Sequence, residues 1–214
     1  MPGGHETSVY HPRMTNLRKC VAWGEIGLDY HYSLSPHDVQ QNVLIRQLKH
    51  AISLHKNLVS TSLYCFTNKV HTREADTDIL NILTTHVPRE THIHIHCFTD
   101  TPELAASLLS HFPNLFIGIT GVITYASNTN TSEVVRVTPL ERLLLETDSP
   151  FMTPNNVQKA IKTMGGKSTR LPVCWSGMIP WTAEWVANIK GESVEKVLEV
   201  TKENSQRMYM IQVE

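Results

Sequence analysis

No stretch of this chain approaches the ~20 consecutive apolar residues of a membrane-spanning helix, and its opening residues, MPGGHETSVYHPRM, have neither the basic flank nor the apolar segment of a secretory leader. An intracellular protein, cytoplasmic or nuclear, is expected. Cysteine is scarce and scattered. Cys20, Cys65, Cys97 and Cys174 show no CxxC spacing, which excludes a zinc ribbon and a disulfide framework and leaves reduced structural thiols. Charge of one sign is also lacking: the formal net charge of -1 supplies no global basic field for nucleic acid. Any phosphate binding has to be local. One stretch qualifies, from Thr153 to Arg170, which carries Lys159, Lys162, Lys167 and Arg170 and no acidic residue. Histidine is missing beyond residue 111. All 12 lie at or before His111, so the rest of the chain contributes to any polar centre through Asp148 or not at all.

What is present is ordinary for a folded chain, 41% hydrophobic and 18% charged over 214 residues. A single α/β domain spanning 1–214 is expected, burying roughly 70% of its unfolded surface. Strand-like and helix-like segments alternate. CVAWGEIGLDY reads as a buried strand. A helix follows it, opened by Ser35 and Pro36, with Val39, Val43, Leu48 and Ile52 as its apolar positions. NLVSTSLYCF reads as the next strand and DILNILTTHV as a helix. The strand HIHIHCF precedes a helix capped by Thr101 and Pro102, with Leu104, Leu108 and Leu109 inward. LFIGITGVITY and LLLETDSP are two more strands, and helices over 180–190 and 193–209 close the chain. Repeated strand-helix units imply a parallel sheet with helices outside.

Polar residues recur where the strands end. Glu25, His96 and Asp148 occupy such positions, and the C-terminal strand ends of a (β/α) barrel converge on one face. In THIHIHCFTD, His92, His94 and His96 share one face of a strand while Ile93, Ile95 and Cys97 share the other. His96 is nearest the mouth and is the expected ligand. His94 lies about 6–7 Å deeper, at a rise of 3.3 Å per residue, and His92 reads as a floor or edge residue. VHTREAD adds His71, and Arg73 two residues on, placed to contact a phosphate oxygen. Carboxylate and imidazole donors together suit a divalent cation such as magnesium, manganese or zinc. Gly24 and Gly27, flanking Glu25, fit a close backbone approach.

GEIGLDY, HTREAD, HCFTD and LLLETDSPF, in this order, resemble the signature stretches of the TatD family of metal-dependent deoxyribonucleases, and the likeness runs from Tyr10 to Tyr209. The resemblance implies a TIM-type barrel of the metallo-dependent hydrolase class that cleaves DNA phosphodiesters with two divalent metals. It makes Glu25 the carboxylate bridging both ions, His71 and His96 the imidazoles of one, and Asp148 the ligand of the other and general base. Arg73 would support transition-state charge, with Lys159 and Lys162 as further substrate contacts. Sequence-specific recognition is not expected, because no helix-turn-helix, zinc finger or stacking platform is legible.

Two departures from that pattern qualify the expectation. TatD-like chains begin with a strand carrying a His-x-His pair, and none precedes Glu25 here. The barrel is therefore expected to be incomplete, with the first strands missing and about six remaining. Weak or absent turnover follows, and with it a second reading, a catalytically impaired binding or regulatory module. STSLYCFTNKV also interrupts the path from KNLV to HTREAD, and such an insertion is expected to displace His71 or force a bulge beside it. A third reading, a small-ester or amide hydrolase of the same barrel class, would need neither Arg73 nor the basic stretch.

Overall fold

The computed structural model describes residues 21–32, 34–57, 67–166, 171 and 173–211. Cys20, Cys65, Lys167, Arg170 and nearly all of the strand expected at NLVSTSLYCF lie outside them. The described sheet has five parallel strands in the order β1-β2-β3-β4-β5: β1 (Ala22–Asp29), β2 (Thr67–Arg73), β3 (Ile93–His96), β4 (Leu115–Ile119) and β5 (Leu143–Leu145). The helices are α1 (His37–Asn57), α2 (Asp76–His86), α3 (Pro102–His111), α4 (Thr129–Val137), α5 (Asn156–Thr163), α6 (Ile179–Lys190) and α7 (Val194–Tyr209). Among the described residues there are thus five strands rather than six, and no ladder joins β5 to β1.

The insertion does not displace His71. Its last four residues, Thr67 to Val70, themselves form the start of β2, and β2 pairs with β3 in unbroken register from Asn68–Ile93 to His71–His96. The reason is the period of two in TNKVHTR, which buries Val70 and Thr72 on one face and sends Lys69, His71 and Arg73 to the other. The irregularity falls instead on β1, between Trp23 and Ile26, beside Glu25. Gly24 and Gly27 match the expected close approach: a side chain on either would run into the backbone of Lys69 or of His71.

The two faces of the sheet divide the labour. Val70, Ile93, Ile95, Ile117 and Leu143 point to the helices and are wholly buried in the main core with Leu48, Leu83 and Leu108. His94, His96, Phe116 and Leu144 belong to the opposite, inner face, where Met208 and Tyr209 of α7 pack against Phe116 and Leu144. Helix starts follow the expected chemistry: Thr101 accepts the Leu104 N–H ahead of Pro102, and Ser193 accepts the Lys196 N–H. The inward stripe of α1 differs from expectation. Leu44, Leu48 and Ala51 are buried, whereas Val39 and Val43 are exposed, because the stripe that meets the sheet runs through 44, 48 and 51 and keeps only Leu48 of the expected positions at its centre. Asn204 of α7 donates to the carbonyls of Leu140 and Leu143, at 2.8 Å each, and so ties the last helix to the entry of β5.

Candidate metal centre

His71, His96 and Asp148, near or just past the C-terminal ends of their strands, meet Glu25 around one open cavity of about 680 Å³; Glu25 itself is not at a strand end as expected but midway along β1, beside that strand's irregularity. Glu25 on β1 lies 3.4 Å from His71 Nδ1 and 3.7 Å from His96 Nε2, and His96 Nε2 lies 3.1 Å from Asp148 Oδ1. Lys69 Nζ is 3.5 Å from Glu25 Oε2, the oxygen that also faces His96, and Asp29 is 3.5 Å from His71 Nε2. Backbone conformation is unusual here. Cys97, Asp148 and Met152 all adopt positive φ without being glycine, at 44°, 52° and 57°. Asp148 is thereby turned back onto the cavity just after β5.

The wall beside His71 is built by Asp100, which is buried and accepts the Thr72 hydroxyl at 2.8 Å and the Glu74 N–H at 3.0 Å. Burial pushes its carboxyl up, against those two donors. Between Thr72 and Glu74, Arg73 lines the cavity with its guanidinium 5.3 Å from the centre of the Tyr32 ring. Lys159 and Lys162 are exposed on α5 and do not line the cavity. The rim carries two exposed aromatic rings, Tyr32 and Phe151, which the motifs alone did not announce.

Beneath this mouth lies a second polar layer that the sequence reading missed. Glu146 accepts His96 Nδ1 at 2.5 Å through one oxygen and the Cys97 N–H at 2.8 Å through the other, which also lies 3.1 Å from His94 Nε2. His94 Nδ1 is 2.6 Å from the Tyr209 hydroxyl. Burial alone would raise the Glu146 carboxyl, but the charge and hydrogen bonds of His94 and His96 hold it well below the usual carboxylate range. Tyr209 is pushed up to about 12, by burial and then by the nearby Glu146 charge, so its hydroxyl keeps its proton and can donate it to His94. His96 loses proton affinity to burial yet ends raised, because Glu146 accepts from it and sits beside it. Cys97 is pushed up to about 12 by burial, which makes it an inert thiol, in keeping with the free Cys97 and Cys174.

Alternation along the strand was the signal for Glu146. In LETD, Glu146 and Asp148 stand two apart, as His94 and His96 do, so the rule that selected the upper pair also selects the lower one. The expected depth of His94 holds, with ring centroids of His94 and His96 6.2 Å apart.

Two donor sets stand out among the described residues, one compact and one joined only pairwise, at 3.1 to 3.7 Å through Glu25 and His96. His94, His96 and Glu146 offer atoms within 4.8 Å of one another. Glu25, His71, His96 and Asp148 form the other set, and only this one opens onto the cavity. His96 belongs to both through different nitrogens. With Nδ1 donating to Glu146, its Nε2 lone pair faces Asp148 and Glu25, the arrangement in which a carboxylate orients a ligating imidazole. His71 Nδ1 is a buried nitrogen with no hydrogen-bond partner, next to Glu25. A divalent cation fits this upper set, which supplies two imidazoles and two carboxylates.

An open five-stranded parallel sheet with such donors gathered on its inner face has the architecture of part of a TIM-type barrel. A family model described as TatD-related DNase matches residues 10–210, and the chain belongs to that family. It is 37% identical over 194 residues to a human protein named 3'-5' RNA nuclease TATDN2, covering 90% of this chain and 23% of that one. It is 30% identical to the metal-dependent hydrolase YabD of Bacillus subtilis, covering 90% of this chain and 66% of the relative. A 3'-5' ssDNA/RNA exonuclease TatD of Pantoea ananatis is 30% identical over 92% of this chain and 68% of its own length. Among solved structures, the TatD homolog YJJV of Escherichia coli K12 superposes with a TM-score of 0.68 at 25% identity, covering 90% of this chain and 64% of that one. The chain spans about two thirds of these bacterial relatives and about a quarter of the human one. Among the described residues, no helix is long and apolar enough to cross a membrane.

Proposed function

We propose that this chain carries the active site of a metal-dependent nuclease that hydrolyses DNA phosphodiester bonds. The observation that carries the reading is the convergence of Glu25, His71, His96 and Asp148 on one open cavity with Arg73 on its wall. Glu25, His71, His96 and Asp148 would hold the divalent cations, two of them in this reading and magnesium, manganese or zinc in kind, which would polarise a phosphoryl oxygen and acidify water. Asp148 accepts the proton of the attacking water at its carboxylate, which its left-handed backbone aims into the cavity. Arg73 donates to a non-bridging phosphate oxygen, with Tyr32 fixing its guanidinium plane. Glu146 keeps His96 in the tautomer that leaves Nε2 free toward the cavity. In this reading Lys159 and Lys162 contact phosphates of the strand beyond the cavity rather than the scissile one.

The impaired-module alternative loses ground because the four donors are held together instead of dispersed. The test is turnover of a single-stranded oligodeoxynucleotide with magnesium or manganese, beside an oligoribonucleotide of the same sequence and an Asp148→Asn variant. Metal-dependent cleavage that falls more than about 100-fold in the variant is expected. Equal rates for the variant and the parent chain would sink the assignment.

A further inference from the structure

We propose that Tyr32 and Phe151 form a pair of stacking surfaces for unpaired nucleobases, so that the cavity takes a single strand; this rests on the nuclease reading above and names what that site selects. Both rings line the same cavity as the four donors, yet Tyr32 is 52% exposed and Phe151 66%. The Phe151 backbone is anchored. Phe151 donates its N–H to the Asp148 carbonyl at 2.9 Å, and the preceding Pro150 carbonyl accepts the Cys174 N–H at 3.0 Å. The ring therefore stands in water on a fixed turn, three residues from Asp148. Tyr32 has the Arg73 guanidinium 5.3 Å from its ring centre and the edge of His31 at 4.8 Å, so it is held in place as well. Tyr125, the third aromatic residue of the lining, is tied down differently: its hydroxyl donates to the Thr153 carbonyl at 3.1 Å.

Charge argues the same way. The lining holds five carboxylates, Glu25, Asp29, Glu74, Asp100 and Asp148, against the single guanidinium of Arg73. The cations that Glu25 and Asp148 would hold act on the scissile phosphate alone, so the flanking nucleotides meet a lining with one guanidinium and need contacts that ignore phosphate charge. Stacking of bases on aromatic rings is such a contact, and it tolerates any sequence because every base has a π-face. Bases inside a duplex already stack on their neighbours and cannot present that face.

The test is fluorescence anisotropy of the full chain, in calcium, with labelled hexamers of four kinds: deoxythymidine, uridine, an abasic deoxyribose-phosphate analogue and a duplex. The chain is expected to bind the two base-bearing single strands at least about tenfold more tightly than the abasic strand or the duplex. Phe151→Leu should lose roughly tenfold on the base-bearing strands and less than about twofold on the abasic one, Phe151→Trp should retain affinity, and Tyr32→Leu, which also releases Arg73, should lose more on the base-bearing strands than on the abasic one. The melting temperature of each variant identifies loss of fold. Equal affinity for abasic and base-bearing strands, tighter binding of duplex, or folded Leu variants that bind as the parent does would each overturn the proposal. Base preference without any phosphodiester cleavage in magnesium or manganese would leave the stacking surfaces standing and remove the nuclease reading; cleavage with no base preference would do the reverse.

Discussion

In the upper polar layer of the inner face, Glu25 stands 3.4 Å from His71 and 3.7 Å from His96, and His71 Nδ1 has no hydrogen-bond partner although it is buried. In the lower layer, His96 Nδ1 reaches Glu146 at 2.5 Å, Tyr209 reaches His94 at 2.6 Å, and the Cys97 N–H reaches Glu146 at 2.8 Å. The two layers share His96 and are made of the same residue types. Each layer holds one unmatched buried nitrogen, His71 Nδ1 above and His94 Nε2 below, but the upper donors touch only through His96 and Asp148 at 3.1 Å and otherwise stand apart around open space, whereas the lower ones are tied by three short bonds that make them the support beneath. The layers should therefore respond differently to the same kind of substitution.

The sharpest way to break the comparison is to remove the residue both layers share. His96→Ala takes a ligand from the mouth and leaves Glu146 with only His94 and one N–H. Cation affinity, read by calorimetric titration with manganese, should fall by more than about 100-fold, beyond what loss of an orienting partner alone produces. An affinity unchanged from the parent chain would place the cation elsewhere.

Glu146→Gln probes the lower layer alone. The amide keeps the volume but loses the charge that fixes His96, so cation affinity should drop about 10- to 100-fold, less than for His96→Ala. The pH profile adds a sign. His96 must be neutral at Nε2 to bind a cation, and its proton affinity is raised over the ordinary imidazole value because Glu146 outweighs desolvation. Affinity should climb with pH until that raised value is passed and then level off. Without the Glu146 charge desolvation prevails, so in Glu146→Gln the levelling should move to lower pH. In the cation-free protein the Glu146 shift runs the other way. Its folded carboxyl lies below the ordinary value, so its stabilisation is present above the unfolded value and is lost as pH falls through the folded one.

Gly118→Ala tests whether the lower layer tolerates intrusion. A methyl on this β4 residue would meet both Glu146 Oε1 and His94 Nε2 in a space that only glycine leaves open. Overpacking of this kind costs about 1–3 kcal/mol, read as a lowered midpoint in denaturant, and the displaced Glu146 should weaken cation binding by about tenfold. A variant of unchanged stability and affinity would mean that the layer rearranges freely and supports nothing.

The upper layer was legible because its residues sit in motifs on parallel strands, whose order brings distant side chains together; His71, His96 and Asp148 needed only that order, whereas Glu25 stands midway along β1, beside an irregularity that no motif announced. The lower layer depended on a partner that no local pattern names. Tyr209 lies 115 residues after His94, and only the path of α7 across the inner face unites them. Glu146 was within reach of the alternation rule, but its neighbour Asp148 carried the motif. The α1 stripe was misread for a different reason: a helix pattern fixes which residues share a face, and the rotation that chooses Leu44 over Val43 is set by packing against the sheet. The insertion before His71 looked disruptive because its apolar stretch drew attention from TNKV, whose alternation already described the strand that forms.

The mildest test is Tyr209→Phe. It removes one hydroxyl and keeps the ring against Phe116 and Leu144, so packing is nearly conserved. What changes is His94, whose Nδ1 loses its 2.6 Å partner in a residue only 3% exposed. An unmatched buried imidazole nitrogen should destabilise the fold by about 1–3 kcal/mol, seen as a lower melting temperature. Glu146 would keep His96 and the Cys97 N–H, so the orientation of Nε2 toward the cavity should survive and cation affinity should change by less than the tenfold expected of a direct orienting partner. A loss as large as that of Glu146→Gln would mean that Tyr209 acts on His96 through His94 and Glu146, and that the two layers form one cooperative network from α7 to the cavity.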